Sequence, residues 1–314
     1  MTRATDPSEK IRWRWPLLVA AVGVLAYANT IPNGFTLDDI PIVRDNDEIL
    51  SLAGVPSQFL KPYWPGEVAS GLHRPITIAS YTINRALTGP GPAGFHAVNA
   101  LLHGLVCLLV WFAARRAGTY YGTALLTGLL FAVHPVHTEA VANVVGRAEL
   151  LAALGVVAAW IAHRRTVEAA TTRATIGWSV TASAAYFLAV LSKEHAIVAP
   201  VLFAFDDLMI AKEQGTPVTR SMRPRRYLGY GAAIGVAVAL RVAALGGLRG
   251  AETAAFIDNP AVIAGGWART ATAVWVHARY IGLMVWPARL SSDYSYDAIP
   301  VVESAFDPRF GIGC

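Results

Sequence analysis

The sequence predicts an all-α membrane protein that crosses the bilayer several times, and two observations support this class. Of 314 residues, 54% are hydrophobic and only 15% are charged, with a mean hydropathy of +0.44, which is too apolar for an ordinary soluble domain. Apolar runs near bilayer length also recur along the chain. They lie at about 16–33, 94–114, 118–134, 149–163, 174–191, 195–211, 228–247 and, less cleanly, 261–288.

The first part of the chain predicts an anchor followed by a large loop. A basic flank with Lys10, Arg12 and Arg14 precedes the first apolar run, as in a signal sequence. Because this run is long and many others follow, we predict a cytoplasmic N-terminus over 1–15 and an uncleaved transmembrane helix over 16–33. The segment 34–93 is too long for a simple connection. We expect an extracytoplasmic loop with short surface helices, a multi-span bundle over 94–290 and an extracytoplasmic or interfacial tail over 291–314.

The distribution of basic residues predicts the orientation of the spans. Short loops on one side of the predicted bundle are rich in lysine and arginine, which identifies that side as cytoplasmic. These residues are Arg115, Arg116, Arg164, Arg165, Arg173, Lys212, Arg220, Arg223, Arg225 and Arg226. This topology also accounts for the net charge of +5, so no nucleic-acid partner is predicted. The segment 34–93 and the polar turns at 134–139 and 193–195 then face the opposite side.

An acidic pair follows the first span in the stretch GFTLDDIPIV. Asp38 and Asp39 are adjacent there. Carboxylates at the mouth of a membrane cavity can act as a general base or bind Mg²⁺ or Mn²⁺. A solvated acidic turn that caps a helix beginning near Pro41 is equally compatible with the spacing.

The second span carries a polar stripe in the stretch FHAVNALLHGL. His96, Asn99 and His103 fall at i, i+3 and i+7, on one side of a helix. Such a stripe faces protein or water and avoids lipid. For Asn99 and His103 we favour hydrogen bonds that hold helices together. His96 lies nearest the outer end and is the predicted cavity residue.

The stretch HPVHTEAVANVVGRAELLA places polar groups between two apolar runs, where a bilayer makes them costly. Pro135 predicts a break between its two histidines, the second of which is His137. A new helix beginning near that point would stack Glu139, Asn143 and Arg147 at i, i+4 and i+8. We expect these residues to form the wall of a ligand site. Zinc is a weaker alternative, because H-x-x-H lacks the spacing of known helical zinc motifs.

The turn LSKEHAI adds three ionisable residues between two apolar runs. Lys193 can hold a phosphate as a point charge, although a solvated turn is equally compatible. Glu149 is expected either to pair with Arg147 or to cap the following span. Arginines in the later apolar runs, such as Arg241, suit an anionic lipid headgroup or extend toward the interface. Together these groups fit an enzyme that uses a lipid-phosphate-linked donor.

Several of these motifs identify a family. The chain resembles the membrane part of the transmembrane and tetratricopeptide-repeat O-mannosyltransferases and their bacterial relatives. The resemblance runs from about residue 33 to residue 309 through NGFTLDDIPIV, HRPITIASYTIN, GFHAVNALLHGL, LLFAVHPVHTEAVANVVGRAELLA, LSKEHAI, DNPA and WPARLSSDYSYDAIP, in that order. It implies a glycosyltransferase fold of the C type, with a large first extracytoplasmic loop that carries an acidic catalytic motif.

The resemblance also implies a reaction. The donor is a polyprenyl-phosphate or dolichyl-phosphate sugar, expected to be mannose, and the acceptor is a hydroxyl on a protein or glycan, with inversion at the anomeric carbon. Asp38 is the expected general base, and Asp39 orients it or holds a metal. The other expected site residues are His96, His137, Glu139 and Asn143 for the sugar, and Arg147 and Lys193 for the phosphate.

Two features leave alternatives open. No tetratricopeptide-like repeat is recognisable, so we expect a fragment or a short homologue. The membrane would be the plasma membrane in a bacterium, with the site facing outward, or the endoplasmic reticulum in a eukaryote. A transporter or flippase would also carry intramembrane charges, but here the polar residues gather at one face rather than midway. A non-catalytic scaffold is the third possibility, against which Asp38 is present.

Overall fold

The computed structural model describes residues 13–66, 71–215, 226–247, 264–291, 294, 298–304 and 306–309. Within these ranges the regular structure is entirely helical. Several expectations fall outside them, including the basic residues Lys10 and Arg12, the basic loop 216–225, the segment 248–263 and much of the predicted tail.

Eleven α-helices are named in chain order, and they are joined by short 3₁₀ and π segments. They are α1 Arg14–Ala26, α2 Val55–Gln58, α3 Pro75–Thr88, α4 Pro92–Arg116, α5 Tyr121–Val133, α6 Thr138–Ala142, α7 Arg147–Glu168, α8 Thr172–Ser192, α9 Ala199–Gln214, α10 Leu228–Leu245 and α11 Gly266–Val285. A π-helix covers Ile40–Arg44, and 3₁₀ turns include Val144–Gly146 and Glu194–Val198.

Four of the described helices are long and apolar enough to cross a membrane: α4, α7 with the turn before it, α8 and α10. A fifth span results if α5 and the helical residues after the break at Pro135 form one crossing. The all-α, multi-pass membrane class is therefore confirmed.

Two predicted spans are shorter as helices than the apolar runs suggested. Helix α1 ends at Ala26 because Tyr27 leaves the helical conformation, with φ −118° and ψ 11°. Helix α9 begins only at Ala199, after a 3₁₀ turn and with Pro200 in its first turn. The apolar runs therefore extend beyond the end of α1 and begin before the start of α9.

Helices of the first compact unit, residues 1–133 and 140–249, pack closely where glycine meets a neighbour. A Cβ at Gly155 of α7 would lie 2.7 Å from the carbonyl oxygen of Ala185 in α8. A Cβ at Gly104 of α4 would lie 2.9 Å from the carbonyl oxygen of Ala20 in α1. Small residues let membrane helices approach in this way. The acidic segment, α3 and the outer ends of α4, α7 and α8 all belong to this unit.

The second compact unit comprises residues 134–139 and 250–314. Here His134 Nε2 lies 3.1 Å from the carbonyl oxygen of Met284, at the end of α11. The backbone N–H of Val302 donates to Thr272 Oγ1 of the same helix at 2.9 Å. These bonds attach both the short polar segment and part of the tail to α11.

Candidate active site

The acidic pair begins at a strained point of the backbone. Leu37 has φ +45°, the one positive φ of a non-glycine residue in the described chain, and left-handed backbone is unfavourable for a side chain with a Cβ. Its side chain is exposed, so no packing of that side chain explains the conformation. Strain of this kind collects at functional sites when the surrounding structure enforces it. The π-helix Ile40–Arg44 follows directly.

The two carboxylates of the pair have opposite environments. Asp39 is 0% exposed, whereas Asp38 is exposed. Asp39 Oδ2 accepts the N–H of Thr36 at 3.2 Å, and Oδ1 accepts the N–H of Val145 at 2.9 Å. Asp39 therefore anchors the acidic segment to the turn before α7, and it leaves Asp38 as the accessible acid.

Burial raises the pKa of Asp39, while its backbone N–H donors and the nearby His96 lower it to a smaller extent. Because each oxygen of Asp39 already accepts a backbone N–H, the geometry favours the orienting role over metal binding. Among the described residues, no group of three or more His, Cys, Asp or Glu side chains is arranged to hold a metal ion.

Tyr63 packs in one apolar cluster with Ile42 and Val43 of the acidic segment, and Arg74 lies against its ring. Burial raises the pKa of Tyr63 to about 12, and among the smaller influences the Arg74 charge lowers it and the Asp38 charge raises it. The Arg74 guanidinium lies 4.8 Å from the centroid of the Tyr63 ring. It also binds Glu194, with Nε to Oε2 and Nη2 to Oε2 distances of 3.0 Å. Arg74 thus contacts both the Tyr63 ring and the Glu194 carboxylate.

Sequence reasoning missed Arg74 as a site residue. The available signal was HRPITIASYTIN, in which Arg74 directly precedes Pro75, the first residue of α3. That position fixes the arginine at the end of the loop, at the start of a helix whose proline presets the backbone. Nothing local in the sequence indicated that Glu194, 120 residues later, would be its partner.

The stripe on α4 lies in the protein interior. His96 is buried, its Nε2 is 3.4 Å from the carbonyl oxygen of Gly34, and its Nδ1 has no hydrogen-bond partner among the described groups. Asn99 Nδ2 lies within 3.0–3.4 Å of the carbonyl oxygens of Val141, Asn143 and Val144.

His103 Nε2 lies 3.1 Å from the carbonyl oxygen of Ala132 in α5. The interpretation of Asn99 and His103 as residues that join helices is confirmed by these contacts. His96 thus contacts the backbone of Gly34, just before the acidic pair.

Arg147 is 0% exposed and bound on all sides. Its Nε donates to Asn99 Oδ1 at 2.8 Å, and its Nη2 donates to Asn84 Oδ1 at 2.6 Å and to the Phe95 carbonyl at 3.0 Å. The guanidinium also lies 4.8 Å from the Tyr81 ring centroid. This geometry favours a structural clamp between α3, α4 and α7 over a phosphate ligand.

The expected continuous ligand wall is wrong in one respect: Glu139, Asn143 and Arg147 do not share a helix. Helix α6 ends at Ala142, and Asn143 is extended with φ −80° and ψ 130°. Its side chain accepts the N–H of Val145 and so starts a new 3₁₀ turn. Asparagine prefers such capping positions over helix interiors, and this local bond outweighed the helical spacing.

Expected sugar ligands are divided between the two compact units. His137 is half-buried and Glu139 is exposed, and both belong to the second unit. Asn143 belongs to the first unit, at the turn that anchors Asp39.

Lys193 lies in an ionic cluster at the end of α8. Its Nζ donates to Glu149 Oε1, and His195 Nε2 lies 3.6 Å from Glu149 Oε2. Of the two alternatives for Glu149, pairing with Arg147 is wrong, because Arg147 binds Asn99 and Asn84, whereas Glu149 does lie in the first turn of α7. All three members of the cluster remain partly exposed, so Lys193 stays accessible to an anion.

Comparison with known proteins agrees with the motifs. The profile of the family described as Protein O-mannosyl-transferase TMTC, DUF1736, matches residues 252–313. Protein O-mannosyl-transferase Tmtc1 of Drosophila melanogaster is 29% identical over 92% of this chain and 35% of its own length. Tmtc2 of the same organism is 31% identical over 93% of this chain and 32% of its own. TMTC2 of Homo sapiens is 29% identical over 93% and 36%.

No solved structure matches the chain. The aligned region spans about a third of the length of these curated relatives. It nevertheless includes the acidic pair, the HPVH stretch and the Lys193 turn within 92–93% of this chain. These matches support the TMTC family of protein O-mannosyl-transferases as the family of this chain.

Proposed function

We propose that this chain carries the reaction centre of a membrane protein O-mannosyltransferase. The donor is polyprenyl-phosphate mannose, the acceptor is a serine or threonine hydroxyl, and the anomeric carbon is inverted. The observation that carries the proposal is the division of the acidic pair: Asp39 is buried and anchored, and Asp38 is exposed. The names of the relatives supply the reaction class.

The proposed reaction transfers one proton to Asp38 and exchanges one bond at the anomeric carbon. Asp38 accepts the proton of the acceptor hydroxyl as that oxygen bonds to the anomeric carbon. The bond from that carbon to the phosphate oxygen breaks, and its electron pair leaves with the polyprenyl phosphate. A guanidinium stabilises the negative charge that develops on the leaving group. Arg74 is the proposed cation, with Lys193 as a second contact.

For Arg74 to reach the phosphate, Glu194 must yield part of its contact. The pair is partly exposed, with 14% and 34% of the side chains accessible, so an incoming anion can approach it. Arg147 has no part in this scheme, and Asn143 acts through the backbone turn. The roles of His137 and Glu139 as sugar contacts stay predictions from the sequence. The site faces the cell exterior in a bacterium or the endoplasmic reticulum lumen in a eukaryote.

The test is mannose transfer from radiolabelled polyprenyl-phosphate mannose in membranes that contain the whole chain. Removal of a general base reduces the rate by roughly 10²–10⁴-fold, so Asp38→Asn should fall by that factor with normal amounts of folded protein. Asp45→Asn is the matched control, because Asp45 is an exposed acid of the same segment that pairs with Arg44. Equal activity of the wild type and Asp38→Asn would refute the assignment.

The Arg74 role needs a second comparison. Arg74→Gln should reduce kcat more than tenfold, and Arg74→Lys should recover part of that loss by restoring the charge without the planar fork. Arg85→Gln, on the same helix and without an ion pair among the described residues, should change kcat less than twofold. Identical losses for the Gln and Lys variants would indicate a purely structural pair with Glu194.

A further inference from the structure

A cavity of about 290 Å³ lies beside the Arg74–Glu194 pair. Its walls come from the end of α8, the 3₁₀ turn Glu194–Val198, the outer half of α10 and the loop before α3. Six lining residues are apolar and three are ionisable. They are Val190, Leu191, Ile197, Ile234, Ala237 and Val238, with His73, Glu194 and Arg241. Two helices long and apolar enough to cross the membrane, α8 and α10, therefore enclose a pocket with an apolar body and a polar end.

The polar end has a defined charge. Arg241 donates to the carbonyl oxygen of Gly71, and no carboxylate of the described residues forms an ion pair with it. Burial lowers the pKa of His73, and the nearby Arg241 charge lowers it further, so the imidazole is neutral at pH 7. Glu194 is shared with Arg74. Two guanidinium groups and one carboxylate leave one positive charge, which matches the single negative charge of a sugar-bearing phosphodiester.

The position and size of the cavity limit what it can hold. By the charge-derived topology, the C-terminal ends of α8 and α10 face the same side as the acidic loop. An arginine near the end of a spanning helix lies at the level of lipid phosphates. Small-molecule pockets usually have volumes of about 300–1,000 Å³, so this one accommodates a short segment of a long lipid. The rest of such a lipid would remain in the bilayer.

We propose that this cavity holds the phosphate-proximal isoprenoid units of the donor, with the phosphate at the Arg241 end and the apolar residues of α8 and α10 around the chain. The inference rests on the proposed function, because it assigns a binding position to that donor. It makes α10 a determinant of donor recognition, separate from the acid that performs the chemistry.

The test measures equilibrium binding of radiolabelled undecaprenyl phosphate to the purified chain in detergent, without any transfer reaction. Val238→Trp fills the cavity and should raise the dissociation constant at least tenfold. Val236→Trp is the matched control, because Val236 is on the same helix, is 50% exposed and does not line the cavity. It should change the constant less than twofold. Equal effects of the two variants would overturn the proposal.

Competition identifies the ligand chemistry. Undecaprenol, which lacks the phosphate, should compete at least tenfold less well than undecaprenyl phosphate, and Arg241→Gln should remove that difference. Equal competition by phosphatidylglycerol or by inorganic phosphate would overturn the proposal, since the occupant would then be any bilayer lipid or any anion. If Arg241→Gln fails to fold after losing its bond to Gly71, the two tryptophan variants still decide the question.

The two proposals fail differently. Binding that depends on Val238, together with an absence of mannose transfer in wild type, would support the cavity and refute the reaction. Normal transfer by Val238→Trp, with an unchanged KM for the donor, would refute the cavity and leave the reaction intact.

Discussion

Replacing Arg147 distinguishes a structural clamp from a phosphate ligand. The guanidinium donates to two amide oxygens, of Asn99 and Asn84, and to the Phe95 carbonyl, at 2.6–3.0 Å. Arg147→Met keeps much of the side-chain volume and removes every donor. Each buried acceptor left unpaired costs about 1–3 kcal/mol. Three such acceptors lose their donor, so we expect the unfolding free energy to fall by at least about 3 kcal/mol.

The assay is reversible unfolding in mixed micelles of a mild detergent and dodecyl sulfate, followed by circular dichroism. Arg165→Met is the control, because Arg165 lies at the other end of α7 and is exposed. Its loss should be below about 1 kcal/mol, as for most surface substitutions. Arg147→Lys should resemble the methionine variant, since an ammonium cannot reproduce the planar fork. A normally stable Arg147→Met protein with a raised KM for the donor would show that the clamp interpretation is mistaken.

Three further outcomes are expected. Gly155→Ala should destabilise the protein by about 1–3 kcal/mol through overpacking against α8, whereas Gly177→Ala, whose Cβ would meet nothing within 4 Å, should be neutral or stabilising; thermal melts compare them. Burial lowers the pKa of His73 below its ordinary 6.5, so the folded state binds fewer protons than the unfolded state. Stability should therefore fall as pH drops below 6.5. His73→Asn should make the melting temperature less dependent on pH between pH 5 and 8. Leu37→Gly relieves the strain of the left-handed backbone and should stabilise the protein by about 1 kcal/mol. It should also lower kcat, because the backbone at residue 37 positions Asp38. An unchanged kcat would show that this backbone conformation does not position Asp38 for catalysis.

The fold class could be predicted because bilayer insertion depends on length and composition, which are local properties. The break at Pro135 was predictable for the same reason, since proline acts within one turn of its own position. The break at Asn143 was not, because helical spacing and capping compete there. The outcome depends on a bond to Val145 and on packing against α4.

The candidate site was predicted unevenly. Asp38, Asp39 and Lys193 could be singled out from the sequence, because charged residues are conspicuous in an apolar chain. The pairings could not, since Arg74 and Glu194 are 120 residues apart and Asp39 and Val145 are 106 apart. Such partners are set by how helices pack, so sequence reasoning offered Glu149 either Arg147 or a capping role and did not find its partner Lys193.

Arg147 and the turn before it support the acidic motif by a continuous series of hydrogen bonds. Arg147 binds Asn99, and Asn99 binds the carbonyl of Asn143, which fixes the turn before α7. The N–H of Val145 in that turn then holds Asp39. Since Asp38 directly precedes Asp39 in the chain, its position depends on this series. A buried arginine that never touches substrate would then affect kcat through geometry alone, because small displacements of a catalytic group reduce rates substantially.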